Sequence, residues 1–377
     1  MNRSPVTGKS LFSKLASRGL IVVIYACVGA LLLYLPALWS RWRVDNTLNV
    51  CVFSETFAPD ALARFQKATG IKVNVTYAEI DDQIYAKFYM NGAAGYDVVN
   101  ISDYVVHALK DTDVLLPIDK SLLTNFGAID PKLLGQVYDP ESVFSVPHKW
   151  YVYGLVYDKL FFKCEPSQMS LDYMFKDPKL LQEEGKVARS YRVCMLDDAR
   201  DAVFMASIYL HGKVHELEDN QLENVRALLV SQKRWVEAYT LHSSQYFLFA
   251  GVVPIALMSS NYMHKIYQHS DRFEFAIPKE GSMVIIENLV IPKASKKSDL
   301  AHKFIDFMLS EQAAAINSSF YGFNSSNKAV GHKMQATQTS NVHMFPDRSV
   351  FRRLYIPLLP VHMRKKVESV WLNVCFA

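Results

Sequence analysis

The acidic residue in the most unusual sequence context is Glu287, which interrupts a run of apolar residues. Residues 284–291 read Val-Ile-Ile-Glu-Asn-Leu-Val-Ile, a pattern typical of a buried strand. A buried carboxylate requires a compensating partner, because removing a charge from water is costly. That partner is either a lysine or arginine of the chain or the cationic group of a bound ligand.

Three further carboxylates lie where a ligand could reach them. Glu55 follows a predicted strand at 48–53, at its carboxyl end. Asp198 and Asp201 lie one helical turn apart, where a helix is predicted to begin near Asp197. Both also have structural explanations, since Asp198 could cap the helix for about 1 kcal/mol and Asp201 could interact with the helix dipole.

No sequence motif for catalysis accompanies these carboxylates. The sequence contains no GxSxG, P-loop, GxGxxG, HExxH or CxxC pattern. An acidic pair such as Asp198 and Asp201, without a nucleophile or a metal motif, is weak support for acid–base catalysis. We therefore expect a binding protein and not an enzyme, with neither a cofactor nor a metal site.

The distribution of charge argues against a nucleic-acid partner. The 377-residue chain has a formal net charge of +4. Six basic and no acidic residues lie within 1–43, whereas the remainder carries 35 basic and 37 acidic residues. No basic stripe with interleaved aromatic residues is present. A small cationic ligand fits this composition better than an anionic polymer.

The basic N-terminal segment is typical of an export signal. Residues 20–39 form 20 consecutive uncharged, mostly apolar residues, about the length of a membrane-spanning helix. Four basic residues, Arg3, Lys9, Lys14 and Arg18, precede the run, which favours a cytoplasmic N-terminus. The exit from the run offers only Ser40 as a poor cleavage site. We favour an uncleaved membrane anchor in 1–43, with a cleaved signal peptide as the alternative.

The cysteines leave the disulfide state open. Cys27 lies in the apolar run, and four others follow it: Cys51, Cys164, Cys194 and Cys375. An exported location would permit disulfides between these four. Buried free thiols are an equally good interpretation.

Strands and helices alternate along the first part of the chain. Strands are predicted at 48–53, 71–77 and 96–101, with helices beginning at Pro59 and near Asp81. This alternation predicts a parallel sheet with helices on both faces. Ligands of such sheets bind beyond the carboxyl ends of the strands, which directs attention to the loops at 53–57 and 102–104.

A second unit of the same class follows a strand-like run at 150–158. It contains predicted strands at 193–196, 252–258, 273–277 and 284–291, and a helix at 300–309. We find no internal repeat and no low-complexity linker. The sequence therefore predicts two lobes joined by crossing strands, which would form a hinge.

From Leu48 to about Asn327 the sequence resembles the spermidine/putrescine-binding proteins of bacterial ABC importers. The resemblance rests on the order and spacing of several stretches. They are Ser54-Glu55 before Pro59, Thr69-Gly70-Ile71-Lys72-Val73, Tyr96-Asp97-Val98-Val99 leading to Ser102 and Tyr104, Leu123-Thr124-Asn125-Phe126, Asp130-Pro131, Ser145-Val146-Pro147 with Trp150, Asp197-Asp198-Ala199-Arg200, Pro278-Lys279-Glu280-Gly281, and Glu287-Asn288-Leu289-Val290-Ile291-Pro292.

The resemblance implies an α/β periplasmic-binding-protein fold of type II, with two lobes joined by a hinge. Lobe 1 would comprise 44–153 plus 286–331, and lobe 2 would comprise 154–285 plus 332–377. The family encloses a polyamine between carboxylates and aromatic rings and delivers it to an ABC permease in the inner membrane. By this resemblance the protein would be a periplasmic monomer, tethered through 20–39 or released if the signal is cleaved.

The resemblance also implies a set of ligand-binding residues. Glu287 stands where the family has its central aspartate for the amine, and Asp198 and Asp201 match an acidic pair. Phe323 keeps the ring of a family tyrosine. The full implied set is Phe53, Ser54, Glu55, Ser102, Tyr104, Asp198, Asp201, Glu287 and Phe323.

Three aromatic residues of the family pattern are replaced in this chain. Thr56 stands at a family tyrosine, and Ser259 and Ile285 stand at family tryptophans. The carboxylates are thus kept while the aromatic walls change. The alternatives are therefore a receptor for another small cationic or amino compound, or a membrane-tethered ligand sensor.

Overall fold

The computed structural model describes residues 28–29, 46–212, 215, 217–337, 346 and 348–377. Residues 48–377 form one compact unit. The predicted membrane segment at 20–39 lies outside the described residues except for 28 and 29. No helix in the described ranges is both long and apolar enough to cross a membrane.

The first half of the compact unit begins with alternating strands and helices. Its elements are β1 (Thr47–Phe53), α1 (Pro59–Thr69), β2 (Lys72–Ala78), α2 (Asp81–Asn91), β3 (Val98–Ser102), α3 (Asp103–Leu109), β4 (Leu115–Leu116) and β5 (Val146–Asp158). Pro59 occupies the first turn of α1, and Gly70 ends the helix in the left-handed conformation with φ of 71°, which glycine adopts at little cost.

The second half adds the remaining strands and helices. They are α4 (Asp172–Phe175), α5 (Pro178–Glu183), β6 (Val193–Met195), α6 (Ala199–His211), α7 (Asp219–Gln232), β7 (Val236–Tyr239), α8 (Ser244–Phe249), β8 (Ile255–Ser259), α9 (Met263–His269), β9 (Phe273–Ala276), β10 (Ser282–Pro292), α10 (Ser298–Leu309), α11 (Glu311–Tyr321), β11 (Asn324–Ser325), α12 (Lys328–Thr337), α13 (Arg348–Phe351), β12 (Leu354–Tyr355) and α14 (Val361–Phe376).

The described strands are hydrogen-bonded in the order β2-β1-β3-β10-β5-β8-β6-β7. β1 and β3 are parallel, as are β8, β6 and β7. The parallel pairing predicted for the first part of the chain is found between β1 and β3, whereas β10 runs antiparallel to both β3 and β5, and β5 runs antiparallel to β8. β10 comes late in the chain and inserts between two strands of the first half.

Two long central strands connect the parallel groups. β5 has 13 residues and β10 has 11, and almost every residue in them is buried. Successive side chains alternate between two hydrophobic clusters: Val152 and Val156 belong to one, and Tyr153 and Leu155 to the other. The lobe division stays a prediction. Two of its three crossing points, 153/154 and 285/286, fall within these strands, and the third, 331/332, falls within α12.

The four described cysteines have free thiols. Cys51 is buried in β1 and Cys194 in β6, whereas Cys164 is half-buried and Cys375 is exposed. Of the two interpretations left open by the sequence, this arrangement matches that of free thiols.

Candidate functional site

All nine residues singled out from the sequence line one cleft with a volume of about 460 Å³. They come from five places in the chain. Phe53, Ser54 and Glu55 lie at the carboxyl end of β1. Ser102 and Tyr104 lie where β3 runs into α3, and Asp198 and Asp201 at the start of α6. Glu287 lies in the middle of β10, and Phe323 directly before β11.

The cleft is strongly acidic but also contains cations. Seven carboxylates line it: Glu55, Glu79, Asp81, Asp82, Asp198, Asp201 and Glu287. The lining also includes Lys149, Arg200 and Lys265. Among the described lining residues, carboxylates therefore outnumber these cations by four, and the position of each cation decides which carboxylates remain available to a ligand.

Glu287 is buried and paired with a lysine of the chain itself. The Lys149 Nζ atom lies 3.2 Å from the Glu287 Oε2 atom, and the side chains are 4% and 5% exposed. The two residues are opposite each other in the β5–β10 register, next to an irregularity between Glu287 and Asn288. Burial raises the pKa of Glu287, and the Lys149 charge opposes that rise.

The Lys149 ammonium has three further neighbours, and together with Glu287 they form the lysine site. Its Nζ atom lies 3.4 Å from the Glu55 carbonyl oxygen and 3.4 Å from the Thr56 hydroxyl. The ammonium also lies 5.3 Å from the centre of the Phe323 ring. Glu55 has a φ of 61°, a left-handed conformation that is uncommon for a side-chain-bearing residue.

A second cluster, the acidic cluster, consists of Asp81, Asp198 and Asp201 around Arg200. The Arg200 Nε atom donates to the Asp201 Oδ1 atom over 2.7 Å, and the Tyr153 hydroxyl donates to Oδ2 over 2.7 Å. Both Asp201 oxygens are thus engaged within the protein. The Arg200 guanidinium also lies over the Tyr104 ring, 4.0 Å from its centre.

Asp198 and Asp81 are less fully compensated than Asp201. The Asp198 Oδ1 atom accepts a hydrogen bond from the Asp201 backbone N–H over 2.9 Å, which caps α6 as the structural alternative predicted. Burial and the nearby Asp201 carboxylate raise the pKa of Asp198 to about 6. Burial also raises the pKa of Asp81, although Arg200 and the hydrogen bond from Ser102 oppose the rise.

The third ion pair lies at the mouth of the cleft. The Lys265 Nζ atom lies 2.7 Å from the Glu55 Oε1 atom, and both side chains are 45% exposed. Water screens such a pair, so we expect it to contribute little to stability. Glu55 is therefore an exposed carboxylate with a flexible partner, unlike Glu287.

The aromatic lining of the cleft consists largely of tyrosines. Tyr151, Tyr153, Tyr246, Tyr262 and Tyr321 join the predicted Tyr104 in lining the cleft. Ser259 lines it too, whereas Ile285 points into the hydrophobic core at 1% exposure. Tyrosine provides both a ring face and a hydroxyl, which makes this lining more polar than one built from tryptophan.

Lys149 and Arg200 are the important residues that the sequence interpretation missed. Lys149 stands beside Trp150 in the buried strand β5, but Pro147 and His148 precede it, so no apolar run marks its charge in the sequence. Arg200 lies in one of the stretches that carry the family resemblance, but no role was assigned to it. A helix was predicted to begin near Asp81, and this residue lies in the first turn of α2 and also lines the cleft.

Comparison with known proteins supplies the family. The model of the bacterial extracellular solute-binding protein family matches residues 60–346. The chain belongs to this family. The family consists of solute-binding proteins and not of enzymes, as the sequence predicted.

Curated relatives cover most of the chain. The putrescine/cadaverine-binding protein of Pseudomonas aeruginosa is 26% identical over 334 residues, which cover 85% of this chain and 91% of the relative. The putrescine-binding periplasmic protein PotF of Escherichia coli is 28% identical over 330 residues, covering 82% and 86%.

A solved structure supports the fold. The spermidine/putrescine ABC transporter substrate-binding protein PotD of Streptococcus pneumoniae superposes with a TM-score of 0.75 at 23% identity. The superposition covers 88% of this chain and 98% of that one. The compact unit therefore has the two-lobed α/β fold of periplasmic binding proteins.

Proposed function

We propose that this protein is the extracytoplasmic solute-binding component of an ABC importer and that its solute is a small organic amine, the class that includes the polyamines. The solute binds in the cleft between the lobes and is delivered to a permease in the inner membrane. The lining of the ligand-binding cleft by the nine predicted residues forms part of this proposal.

The acidic cluster is the observation that carries the proposal. Three carboxylates, Asp81, Asp198 and Asp201, share the single Arg200 guanidinium, so the cluster has excess negative charge. Desolvated carboxylates are costly without a cation, and a bound ammonium would supply that cation. A nearby ring face, such as that of Tyr104, adds cation–π attraction. The relatives that bind putrescine and cadaverine agree with this choice of solute class.

A thermal-shift screen with putrescine, cadaverine, spermidine, spermine, agmatine and the monoamine 4-aminobutan-1-ol tests the proposal. A ligand at a hundredfold excess over its Kd stabilises the fold by about 2.7 kcal/mol, so at least one amine should raise the melting temperature clearly. Asp198→Asn is the matched variant. Asparagine still caps the helix while the charge is lost, so an amine should raise its melting temperature less than that of the wild type. A screen in which no amine raises the melting temperature would contradict the proposal.

We also propose that the protein acts in the periplasm as a monomer held at the inner membrane through residues 20–39. The uncharged length of that segment and the preceding basic residues support the tether. Membrane fractionation combined with N-terminal sequencing provides the test. A soluble product beginning near residue 41 would show instead that the signal is cleaved, and light scattering of the purified protein checks the monomer.

A further inference from the structure

The surroundings of the Lys149 ammonium have the composition of an ammonium-binding site. Four groups surround its Nζ atom: the Glu287 carboxylate at 3.2 Å, the Glu55 carbonyl at 3.4 Å, the Thr56 hydroxyl at 3.4 Å and the Phe323 ring at 5.3 Å. A carboxylate, two neutral oxygen acceptors and a ring face are the partners that a desolvated ammonium requires.

The hydrogen-bond directions in this site are set for a cation. The Thr56 hydroxyl donates its proton to the Phe53 carbonyl over 2.9 Å, which leaves its oxygen lone pairs for Lys149. Lys149, Thr56 and Glu287 are all buried, at 4%, 0% and 4% exposure. The ammonium of Lys149 therefore occupies a desolvated position, and it does so on a side chain that cannot dissociate.

We propose that Lys149 is a built-in occupant of an ammonium site in the cleft and that it selects solutes with one ammonium over linear diamines. A diamine would have to place its second ammonium near a buried lysine whose carboxylate is already paired. Like charges at close range repel in such surroundings. The inference rests on the proposed function, because it assumes that an amine binds at the acidic cluster.

Arg200 adds an independent preference for oxygen in the solute. Its Nη1 atom is buried and has no hydrogen-bond partner among the described residues. An N–H donor can be satisfied by an oxygen acceptor of a ligand but not by an ammonium, which is itself a donor. The solute class that fits both observations is a monoamine with an uncharged, oxygen-bearing tail.

The decisive probes are putrescine and 4-aminobutan-1-ol, which differ by replacement of one ammonium with a hydroxyl. Calorimetric titration of the wild-type protein should show 4-aminobutan-1-ol binding at least tenfold more tightly than putrescine. Lys149→Met, which keeps the unbranched shape of the side chain, shortens it by one atom and removes its charge, should reverse the preference, because Glu287 can then accept the second ammonium of putrescine.

Two further variants serve as controls. Lys149→Met with Glu287→Gln removes both charges, and this double variant should not gain affinity for putrescine. Lys293→Met removes an exposed cation that does not line the cleft and should leave the ratio of the two affinities within twofold of the wild-type ratio. Both controls show whether the reversal requires the buried pair and not merely the loss of one positive charge from the protein.

The outcomes separate this inference from the proposed function. Tighter binding of putrescine than of 4-aminobutan-1-ol by the wild-type protein would overturn the inference while supporting an amine receptor. An unchanged ratio in folded Lys149→Met would overturn it too. Absence of binding by every amine in the wild-type protein and in Lys149→Met would reject both. If Lys149→Met does not fold, the ratio in the wild-type protein decides alone.

Discussion

The lysine site and the acidic cluster use the same chemistry in opposite ways. In the lysine site one carboxylate, Glu287, faces one cation, Lys149, and the two charges offset each other. In the acidic cluster three carboxylates surround Arg200, so negative charge remains in excess. The comparison indicates that a carboxylate at a family position is not by itself an open ligand site, because the protein can supply the ligand's charge from a neighbouring strand.

The largest expected loss of stability comes from removing the cation of the acidic cluster. Arg200→Met leaves Asp81, Asp198 and Asp201 without their shared partner. Breaking a buried pair by removing one member costs roughly 3–5 kcal/mol, and we expect a loss of that order in the free energy of unfolding at pH 7. Urea denaturation measures it. The loss should shrink at pH 5, because the carboxylates can then be protonated.

Removing the carboxylate of the lysine site should lower the free energy of unfolding by a smaller amount. Glu287→Gln leaves Lys149 with the Glu55 carbonyl, the Thr56 hydroxyl and the Phe323 ring, so the expected loss is about 1.5–3 kcal/mol, the worth of a hydrogen bond to a charged group. The measurement is urea denaturation without ligand. Lys149→Met combined with Glu287→Gln should recover most of the loss, since replacing both members of a buried pair is often neutral. A Glu287→Gln variant as stable as the wild type would show that the pair is not structural.

The sequence predicted a set of residues that line one cleft, but not how their charges are paired. Nine residues from five segments were placed at one cleft because strand ends, helix starts and a family pattern can be read locally. The Lys149–Glu287 pair could not, since it depends on the register between β5 and β10, which are far apart in the chain. The predicted strand-like run began at Trp150, whereas β5 begins at Val146 and includes Pro147, a residue type that is uncommon in strand interiors. Lys149 therefore lay outside the predicted strand.

The antiparallel part of the sheet was not predicted, for a related reason. Local alternation of strands and helices predicts parallel pairing, which holds for β1 and β3. The insertion of β10 between β3 and β5 is a long-range event, and it brings Glu287 opposite Ser102 on one side and Lys149 on the other. No local pattern in the sequence records that pairing.

The third prediction, of moderate size, is that stability and amine affinity depend on pH through Asp198 of the acidic cluster. The folded protein raises the pKa of Asp198 from 3.8 to about 6, so the folded state binds more protons than the unfolded state between these values. The contribution of Asp198 to stability without ligand therefore falls as pH rises through this window. Affinity for an amine should rise over the same window, since the ionised carboxylate attracts the ammonium.

Asp198→Asn isolates this contribution. The asparagine side chain keeps the cap of α6 but cannot ionise, so amine affinity at pH 7 should fall about tenfold, equivalent to about 1.4 kcal/mol. Calorimetric titrations at several values between pH 5 and pH 8 provide the comparison. The variant should show a much weaker dependence of affinity on pH than the wild type, and equal pH profiles would exclude Asp198 as the titrating group.

The smallest expected effect concerns the exposed Lys265–Glu55 pair, which has the shorter distance, 2.7 Å against 3.2 Å in the lysine site. Distance alone would rank it above the buried pair. Solvent reverses the order, because both of its side chains are 45% exposed, and exposed pairs contribute roughly 0–1 kcal/mol. Lys265→Met should therefore change the free energy of unfolding by less than about 1 kcal/mol, and added salt should weaken the small contribution of the pair in the wild type.

The same variant should bind an amine faster. Without Lys265, the Glu55 carboxylate at the cleft mouth becomes free to attract a cation, so the association rate of an amine should rise at low salt and approach the wild-type rate at high salt. Stopped-flow measurements at two ionic strengths, beside urea denaturation, check both parts. A stability loss as large as that of Glu287→Gln would mean that burial does not govern the difference between the two pairs.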